Sequence, residues 1–398
     1  MMKRNLKIGM ILLLLVSFII ISTNWNVSAQ EKKPTKTLKM GFLMAQTGPG
    51  VLTDIGKECN AALEAFLEDL RFLGGIKVGG ERYMIDPIKY DDKGGNVAAA
   101  RDAINRLIFH DEVKFVGWTG WSPTTLAIQP LIEENKVLAI GDGGAPEVVN
   151  ANATYYFRTF PPAATTAPGM YKWIAKNMPR IKKVAIITND DSGGRAVVKY
   201  TKEACAELGL QVVAISWVTR QTADVMKEVA KAMAAGADIL ETSYGNTSLV
   251  VKQSREMGYQ GPIMNYGGYH PNMTIKTLGW QMVQKVISCA VDPNDPILPK
   301  RYANFVKRMQ ALGQAGSWWS QNLYDGVWIL KQAIEKANSL DPKLVRNVMY
   351  TEEFDVLTGK ARFIGKDIYG VNNQLGYPVY FSIVEEEKYK ILGKIDTK

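Results

Sequence analysis

Hydrophobic and polar positions follow two alternating periods along most of the chain. Short apolar runs, typical of buried parallel strands, alternate with stretches whose apolar residues recur every three or four positions, as in helices. The first half predicts strands at Leu38–Leu43, Tyr83–Tyr90, Val113–Trp118 and Val137–Ile140. Helices are predicted between them, through Ala61–Leu70, from an Asn96 cap to Ile108, and from Pro123 onward. This order predicts a parallel sheet covered by helices on both faces.

The same pattern restarts in the second half. Strands are predicted at Tyr155–Phe160, Val184–Thr188, Val212–Trp217, Ile239–Thr242 and Ile263–Tyr266, with helices at Ala167–Met178 and Arg195–Leu208. Beyond Asp292–Pro296 the sequence predicts two long helices, Arg301–Leu312 and about Ser320–Ala337, and then strands at Val379–Val384 and Tyr389–Ile395. A chain of this length rarely forms one core. We therefore predict an α/β protein of two lobes, and the tail strands could join either one.

The first 29 residues have the pattern of a cleaved signal peptide. Lys3, Arg4 and Lys7 precede the apolar run Ile8–Ile21, and small residues follow at 27–29. A run of about 14 residues is shorter than the roughly 20 that span a bilayer, so we favour cleavage over an uncleaved membrane anchor. No cysteine lies near the cleavage point. We therefore predict export to the periplasm without a lipid anchor.

Composition excludes several functional classes. The formal charge of +9 falls to +6 without the three basic residues of the predicted signal peptide. The sequence has no run of basic residues of the kind that binds nucleic acid. The two histidines lie far from the three cysteines in sequence, so we expect no metal site and no cofactor. The chain also lacks the glycine-rich nucleotide motifs and the serine-hydrolase elbow. We expect no enzymatic activity.

The loop at 117–125 is the strongest candidate for ligand contact, because open parallel sheets bind ligands beyond the carboxyl ends of their strands. Ser122 is predicted to cap a helix whose first residue is Pro123. The free amides and the helix dipole at such a terminus would favour a carboxylate, with a tryptophan covering the apolar part of the ligand. A helix cap without a ligand is the alternative. The predicted contacts are Trp118, Trp121, Ser122, Thr124 and Thr125.

Loops after other predicted strands complete the candidate site. Asp142 could accept a hydrogen bond from a cationic or hydroxyl group, or it could simply form a turn. Gly143 would allow the backbone to approach a ligand closely. The loops at 190–194, 243–246 and 266–270, and the start of the helix near 318, add aromatic and polar groups typical of a small-molecule cleft. From these we select Tyr244, Tyr266 and Trp318.

Several of these segments, in this order, resemble the periplasmic solute-binding proteins of branched-chain-amino-acid-type ABC importers. The resemblance rests on Met40–Leu43, Thr47–Pro49, Gly74–Ile76, Tyr90–Asp92, Gly117–Thr125, Ala145–Glu147, Asp190–Ser192 and Tyr324–Gly326. It implies a type I periplasmic binding protein with two Rossmann-like lobes, a hinge of several crossovers, and a ligand cleft between the lobes. We expect lobe 1 to combine 36–159 with 292–355, and lobe 2 to combine 160–291 with 356–398. The resemblance also implies a monomer that delivers its ligand to an ABC permease.

Three glycines depart from the pattern of amino-acid-binding members. Gly144 stands where a hydroxyl residue is common, Gly193 where an aromatic often covers the ligand, and Gly267 where an acid commonly neutralises the ligand's ammonium. Because the anion half of the site is retained and the ammonium half is lost, we predict a small carboxylate with an apolar or aromatic body. The alternative is an amino acid, with Asp142 or Glu241 replacing the missing acid. A different functional class, a ligand-sensing subunit of a membrane signalling protein, would have a similar sequence.

Overall fold

Two mixed sheets organise the chain in the computed structural model, which describes residues 36–48, 50–243, 246–265, 267 and 269–396. The predicted signal peptide, Tyr244 and Tyr266 lie outside these residues. The strands are β1 (Lys36–Met44), β2 (Ile76–Val78), β3 (Glu81–Asp91), β4 (Phe115–Trp118), β5 (Leu138–Gly141), β6 (Tyr156–Arg158), β7 (Lys183–Asn189), β8 (Gln211–Val218), β9 (Ile239–Thr242), β10 (Ile263–Asn265), β11 (Val286–Ser288), β12 (Glu353–Val356), β13 (Gly359–Ile364), β14 (Gln374–Gly376), β15 (Pro378–Glu385) and β16 (Lys388–Asp396).

Helices connect most of the parallel strands. They are α1 (Gly50–Phe72), α2 (Val97–Phe109), α3 (Ser122–Glu134), α4 (Ala163–Asn177), α5 (Ser192–Glu207), α6 (Met226–Ala234), α7 (Thr247–Glu256), α8 (Asn272–Leu278), α9 (Lys300–Ala311), α10 (Trp318–Ala337), α11 (Pro342–Thr351) and α12 (Lys366–Tyr369), with 3-10 turns at Pro146–Val148 and Trp280–Val283. Asn96 caps α2 as predicted, because its side chain accepts a hydrogen bond from the Ala99 amide at 2.9 Å. In the part of the chain described here, no helix has the length and apolar character needed to cross a membrane.

The first sheet has the strand order β12-β13-β14-β6-β5-β4-β1-β3-β2. Its central strands pair in parallel, with Leu38 opposite Ile85 and Ala139 opposite Tyr156. Antiparallel pairs occur only toward its two edges, between β2 and β3 and along β12, β13 and β14. Helices α1 and α10 pack against each other beside this sheet, as do α2 and α3. Their buried apolar faces form one core with the strands.

The second sheet has the order β16-β15-β11-β10-β9-β7-β8. Strands β8, β7, β9, β10 and β11 are parallel, and the hairpin β15–β16 adds two antiparallel strands at one edge. Helices α4 and α5 pack together beside it, as do α6 and α7. The parallel strands and their connecting helices confirm the predicted α/β class.

The chain passes between the sheets three times: after β6, after β11 and after β14. The expected boundary at 355/356 differs from this strand pairing. Strands β13 and β14 belong to the first sheet, where Gln374 pairs with Arg158, so the last passage falls between Gly376 and Pro378. A hydrogen bond from the buried Arg158 guanidinium to the Gln374 side chain ties this segment to the first sheet.

Candidate functional site

The carboxyl ends of the parallel strands in the two sheets face each other across a cleft. Arg220, two residues beyond β8, places its guanidinium 5.0 Å from the ring centroid of Trp121, which immediately precedes α3. Gly267 lies so close to Phe160, two residues beyond β6, that a Cβ on the glycine would be 2.8 Å from the Phe160 Cζ. These contacts place the strand-end loops of both sheets in one site.

Four aromatic side chains form the wall on the side of the first sheet. The Trp319 ring lies 4.9 Å from Trp121 and 5.5 Å from Phe160, where it is stacked. Trp318 meets the other side of this group, with its ring 5.4 Å from Phe160 in an edge-on arrangement. All four rings are at least nine-tenths buried. Rings held in this way offer flat apolar surface to a bound molecule at little entropic cost.

A buried carboxylate fixes the start of α10 and therefore the positions of both tryptophans. Glu58 of α1 accepts hydrogen bonds from the amides of Ala315 and Ser317, at 2.9 and 3.0 Å, and from the Ser317 hydroxyl. Burial raises the pKa of Glu58, and these hydrogen bonds oppose that change. Glu58 thus fixes, from a neighbouring helix, the N-cap residue Ser317 and the segment that leads into α10.

The loop after β5 is held from behind by Arg158. One Nη of this buried guanidinium donates to the carbonyl oxygens of Gly143 and Ala145, at 3.0 and 2.7 Å. The other Nη donates to the Tyr369 hydroxyl at 3.2 Å. Gly143 has a φ of +127°, a conformation that side-chain-bearing residues rarely adopt. The loop therefore has a defined shape next to the cleft.

Asp142 begins this loop and is 1% exposed. Its Oδ1 accepts from the Gly143 amide at 2.6 Å, whereas its Oδ2 has no hydrogen-bond partner among the described residues. Burial raises the pKa of Asp142 well above its usual range, although the positive charges of Arg158 and Arg220 oppose the change. The side chain faces a narrow cavity in the cleft. This cavity is lined by Trp121, Ser122, Asp142, Gly143, Gly144, Arg220 and Trp319.

The predicted anion site at the start of α3 is only partly available. Trp121, not Ser122, is the N-cap, and the Ser122 hydroxyl accepts from the Ala145 amide at 3.1 Å. The Thr124 and Thr125 hydroxyls donate to the carbonyls of Trp121 and Gly120, and the Thr125 amide continues the helix. Thr125 therefore offers no free amide. The predicted cap position was wrong by one residue because Ser122 instead joins two strand-end loops.

The remaining predicted contacts lie in different surroundings. Trp118 lines a second small cavity with Cys59 and Asp92, which shares Trp121 and Trp319 with the first cavity. Burial raises the pKa of Asp92 to about 6. Gly193 is buried in the first turn of α5. Glu241 does not line the cleft cavity. Its carboxylate accepts hydrogen bonds from the hydroxyls of Tyr171 in α4 and Thr201 in α5.

Arg220 and Phe160 are absent from the sequence prediction, and Trp319 was not selected there beside Trp318. Arg220 and Phe160 each follow a strand by two residues, so the rule that selected the other loops also covers them. Trp319 is adjacent to the predicted Trp318, and it is Trp319 that lines the cavity. Arg220 also forms an ion pair with Asp191, with Nη2 2.6 Å and Nε 2.9 Å from Oδ2.

Comparisons with known proteins agree with this architecture. A family model described as periplasmic binding protein matches residues 37–387. The chain is 27% identical over 342 residues to Leu/Ile/Val-binding protein homolog 8 of Brucella melitensis biotype 1, covering 82% of this chain and 83% of that protein.

Two solved structures have the same fold. A solute-binding protein of an ABC transporter from Rhodopseudomonas palustris BisB5, in complex with 3,4-dihydroxybenzoic acid, matches with a TM-score of 0.78 and 20% identity, covering 91% of this chain and 98% of that one. A branched-chain amino acid transporter substrate-binding protein from Streptococcus pneumoniae, in complex with isoleucine, matches with a TM-score of 0.75 and 18% identity, covering 89% and 98%. These are binding proteins rather than enzymes, as predicted for this chain. The resemblance seen in the sequence is confirmed: the chain belongs to the periplasmic binding protein family and has the type I fold.

Proposed function

We propose that the protein is the extracytoplasmic solute receptor of an ABC importer and that its cleft binds a small carboxylate with an aromatic or apolar body. Its lobes would then follow the two sheets, with 36–159 and 292–376 in one and 160–291 and 377–396 in the other. Three passages of the chain between them form a hinge of the kind that closes a cleft over a ligand. Export would depend on cleavage of residues 1–29, which sequencing of the mature N-terminus tests.

The observation that carries the ligand class is the pairing of Arg220 with the aromatic wall. A guanidinium is the side chain best suited to a planar carboxylate. Trp121, which lies beneath the guanidinium, and the neighbouring Trp319 supply flat apolar surface beside it. A ligand that carries a carboxylate at one end and a ring or branched chain at the other matches both features.

The surroundings of Gly267 support rejection of the α-amino group. Glycine has no side chain that could neutralise an ammonium. The contact with Phe160 also leaves no space for a larger side chain at this position. Glu241 is already engaged by two hydroxyls away from the aromatic wall. A buried ammonium without a partner is strongly unfavourable. The dihydroxybenzoic acid bound by the Rhodopseudomonas protein has no amino group either.

Matched ligand pairs test the proposal by thermal shift and calorimetry. We expect 3-phenylpropanoate, 4-methylpentanoate or benzoate to raise the melting temperature, because a ligand that binds only the folded state stabilises it by mass action. Phenylalanine and leucine, the amino counterparts of the first two, should bind about tenfold more weakly or worse. Tighter binding of either amino acid than of its desamino counterpart would contradict the ligand class.

The importer role needs a separate experiment in the parent cell. Deletion of the gene should abolish most uptake of the radiolabelled acid that binds best, and the wild-type gene should restore it. Unchanged uptake together with a lost transcriptional or chemotactic response to the same acid would favour a sensing subunit instead.

A further inference from the structure

The Asp142 side chain has a feature that the proposed function does not explain. It is fully enclosed by protein and lines the cleft cavity, and its Oδ2 receives no hydrogen bond within the described residues. Buried polar atoms in folded proteins nearly always have a partner, so an exception inside a binding cavity suggests that the ligand supplies it.

Among the residues that the structure describes, no cation forms an ion pair with this carboxyl group. Arg158 directs one Nη to the carbonyls of Gly143 and Ala145, and Arg220 directs Nε and one Nη to Asp191. The Tyr156 hydroxyl donates to the backbone carbonyl of Asp142 rather than to its carboxyl oxygens. An ionised carboxyl in this setting would be buried without a direct counter-charge, which is strongly unfavourable.

The charged and titratable groups around Asp142 are few. Arg158 on β6 and Arg220 beyond β8 lower its proton affinity, and the effect of burial exceeds both, so the pKa of Asp142 stays well above its usual range. The other titratable groups that interact with its charge are Tyr156, Tyr377 and Cys59, and burial raises the pKa of each, which keeps them neutral.

We propose that Asp142 is a neutral carboxylic acid whose Oδ2 donates a hydrogen bond to the carboxylate of the bound ligand, an inference that rests on the proposed function. Oδ1 already accepts from the Gly143 amide, so the acidic proton belongs on Oδ2, the oxygen without a partner among the described residues. A neutral carboxyl group kept in an apolar site can donate a hydrogen bond to an anion.

This arrangement gives the site a means of discriminating between ligands. A ligand carboxylate accepts the Oδ2 proton, whereas an ammonium has only donors and interacts more weakly with a neutral carboxyl group than with an ionised carboxylate. Asp142 would therefore favour acids over amines, although an aspartate at this position would ordinarily suggest the reverse.

Two isosteric variants test whether Asp142 is a donor. Asp142→Asn keeps an N–H donor near the Oδ2 position, so its affinity for 3-phenylpropanoate should stay within about threefold of the wild type. Asp142→Ala removes the donor and should weaken binding about tenfold or more. The proposal is overturned if Asp142→Asn loses as much affinity as Asp142→Ala, or if phenylalanine binds the wild type and is lost selectively from Asp142→Asn.

Infrared spectroscopy tests the protonation state without relying on a ligand. The difference spectrum of wild type minus Asp142→Asn at neutral pH should contain the C=O band of a protonated carboxyl group, because other buried acids cancel. A carboxylate band in its place would overturn the proposal. If the wild type binds none of the acids, the proposed function fails, while this measurement still decides whether Asp142 is neutral.

Discussion

Substituting Glu241 with glutamine should make the stability of the protein less dependent on pH between about 5 and about 8. Glu241 on β9 is fully buried, and burial raises its pKa to about 7 although the Tyr171 and Thr201 hydroxyls donate to it. The folded state therefore binds the Glu241 proton more tightly than the unfolded state does, whose glutamate has the ordinary pKa of 4.5.

The sign and size of the effect follow from this difference. Below the unfolded pKa both states are protonated, and stability is unaffected. Between 4.5 and about 7 the unfolded state has released its proton while the folded state retains it, so the free energy of unfolding falls as pH rises. Each tenfold difference in proton affinity is worth about 1.4 kcal/mol, so the full loss is about 3 kcal/mol. Most of it should occur between about pH 5 and about pH 8.

Urea unfolding of the wild type and Glu241→Gln at these two pH values measures the loss. The glutamine oxygen can still accept from both hydroxyls, and it cannot ionise. The wild type should therefore lose about 2 to 3 kcal/mol more stability than the variant between the two pH values. Glu203→Gln, which removes an exposed carboxylate on α5, is the matched control and should leave the pH dependence unchanged.

Two results would refute this reasoning. A pH dependence in Glu241→Gln as steep as that of the wild type would show that the Glu241 proton is not released in this range. A large loss of ligand affinity in the same variant, with the fold intact, would show that Glu241 serves the binding site rather than the contact between α4, α5 and the second sheet.

Three further substitutions probe the cleft and one helix. Gly267→Ala should hinder closure of the cleft and weaken carboxylate binding about tenfold, with little change in melting temperature. The reason is that the new Cβ would lie 2.8 Å from the Phe160 ring, which two tryptophans confine. Calorimetry measures the affinity, and thermal unfolding measures the melting temperature. Arg220→Met should weaken 3-phenylpropanoate binding about tenfold or more, whereas Arg195→Met, which breaks an exposed ion pair, should not; equal losses would rule out a specific role for Arg220. Asn96→Ala should lower the free energy of unfolding by about 1 kcal/mol in urea titrations, and an unchanged value would mean that the cap contributes nothing.

Local pattern predicted most of the parallel strands and their helices. The strand at Ile239–Thr242 coincides with its prediction, and others differ by a few residues at each end. Strands buried on both faces are continuous apolar runs, and the turns between them carry cap and glycine signals, so neighbouring residues contain the information. The short strands β12, β13 and β14 were missed, because they lie at the edge of the sheet and lack the continuous apolar runs of strands buried on both faces.

The sequence predicted those residues of the candidate site that lie in loops directly after strands. The rule that ligands bind beyond the carboxyl ends of strands selected Trp121, Ser122 and Asp142, all of which line the cavity. The rule could not distinguish Trp318 from Trp319, because the two residues are adjacent in the sequence. Which ring lines the cavity depends on how α10 begins, and Glu58 fixes that start through Ser317. Nor could the rule show that the Ser122 side chain would be engaged by the loop of Ala145.

The sequence alone determined the α/β class, the alternation of most strands and helices along the chain, and the family, because each rests on short segments whose pattern is local. Only the tertiary structure decided what those residues do in the cleft. The partner of Arg220 is Asp191, 29 residues away, and the Gln374 side chain that holds Arg158 lies 216 residues from it. Burial, which raises the pKa of both Asp142 and Glu241, likewise depends on side chains that are distant in the sequence. Such long-range contacts leave no periodic trace in the sequence, because they are created when the sheets form and face each other.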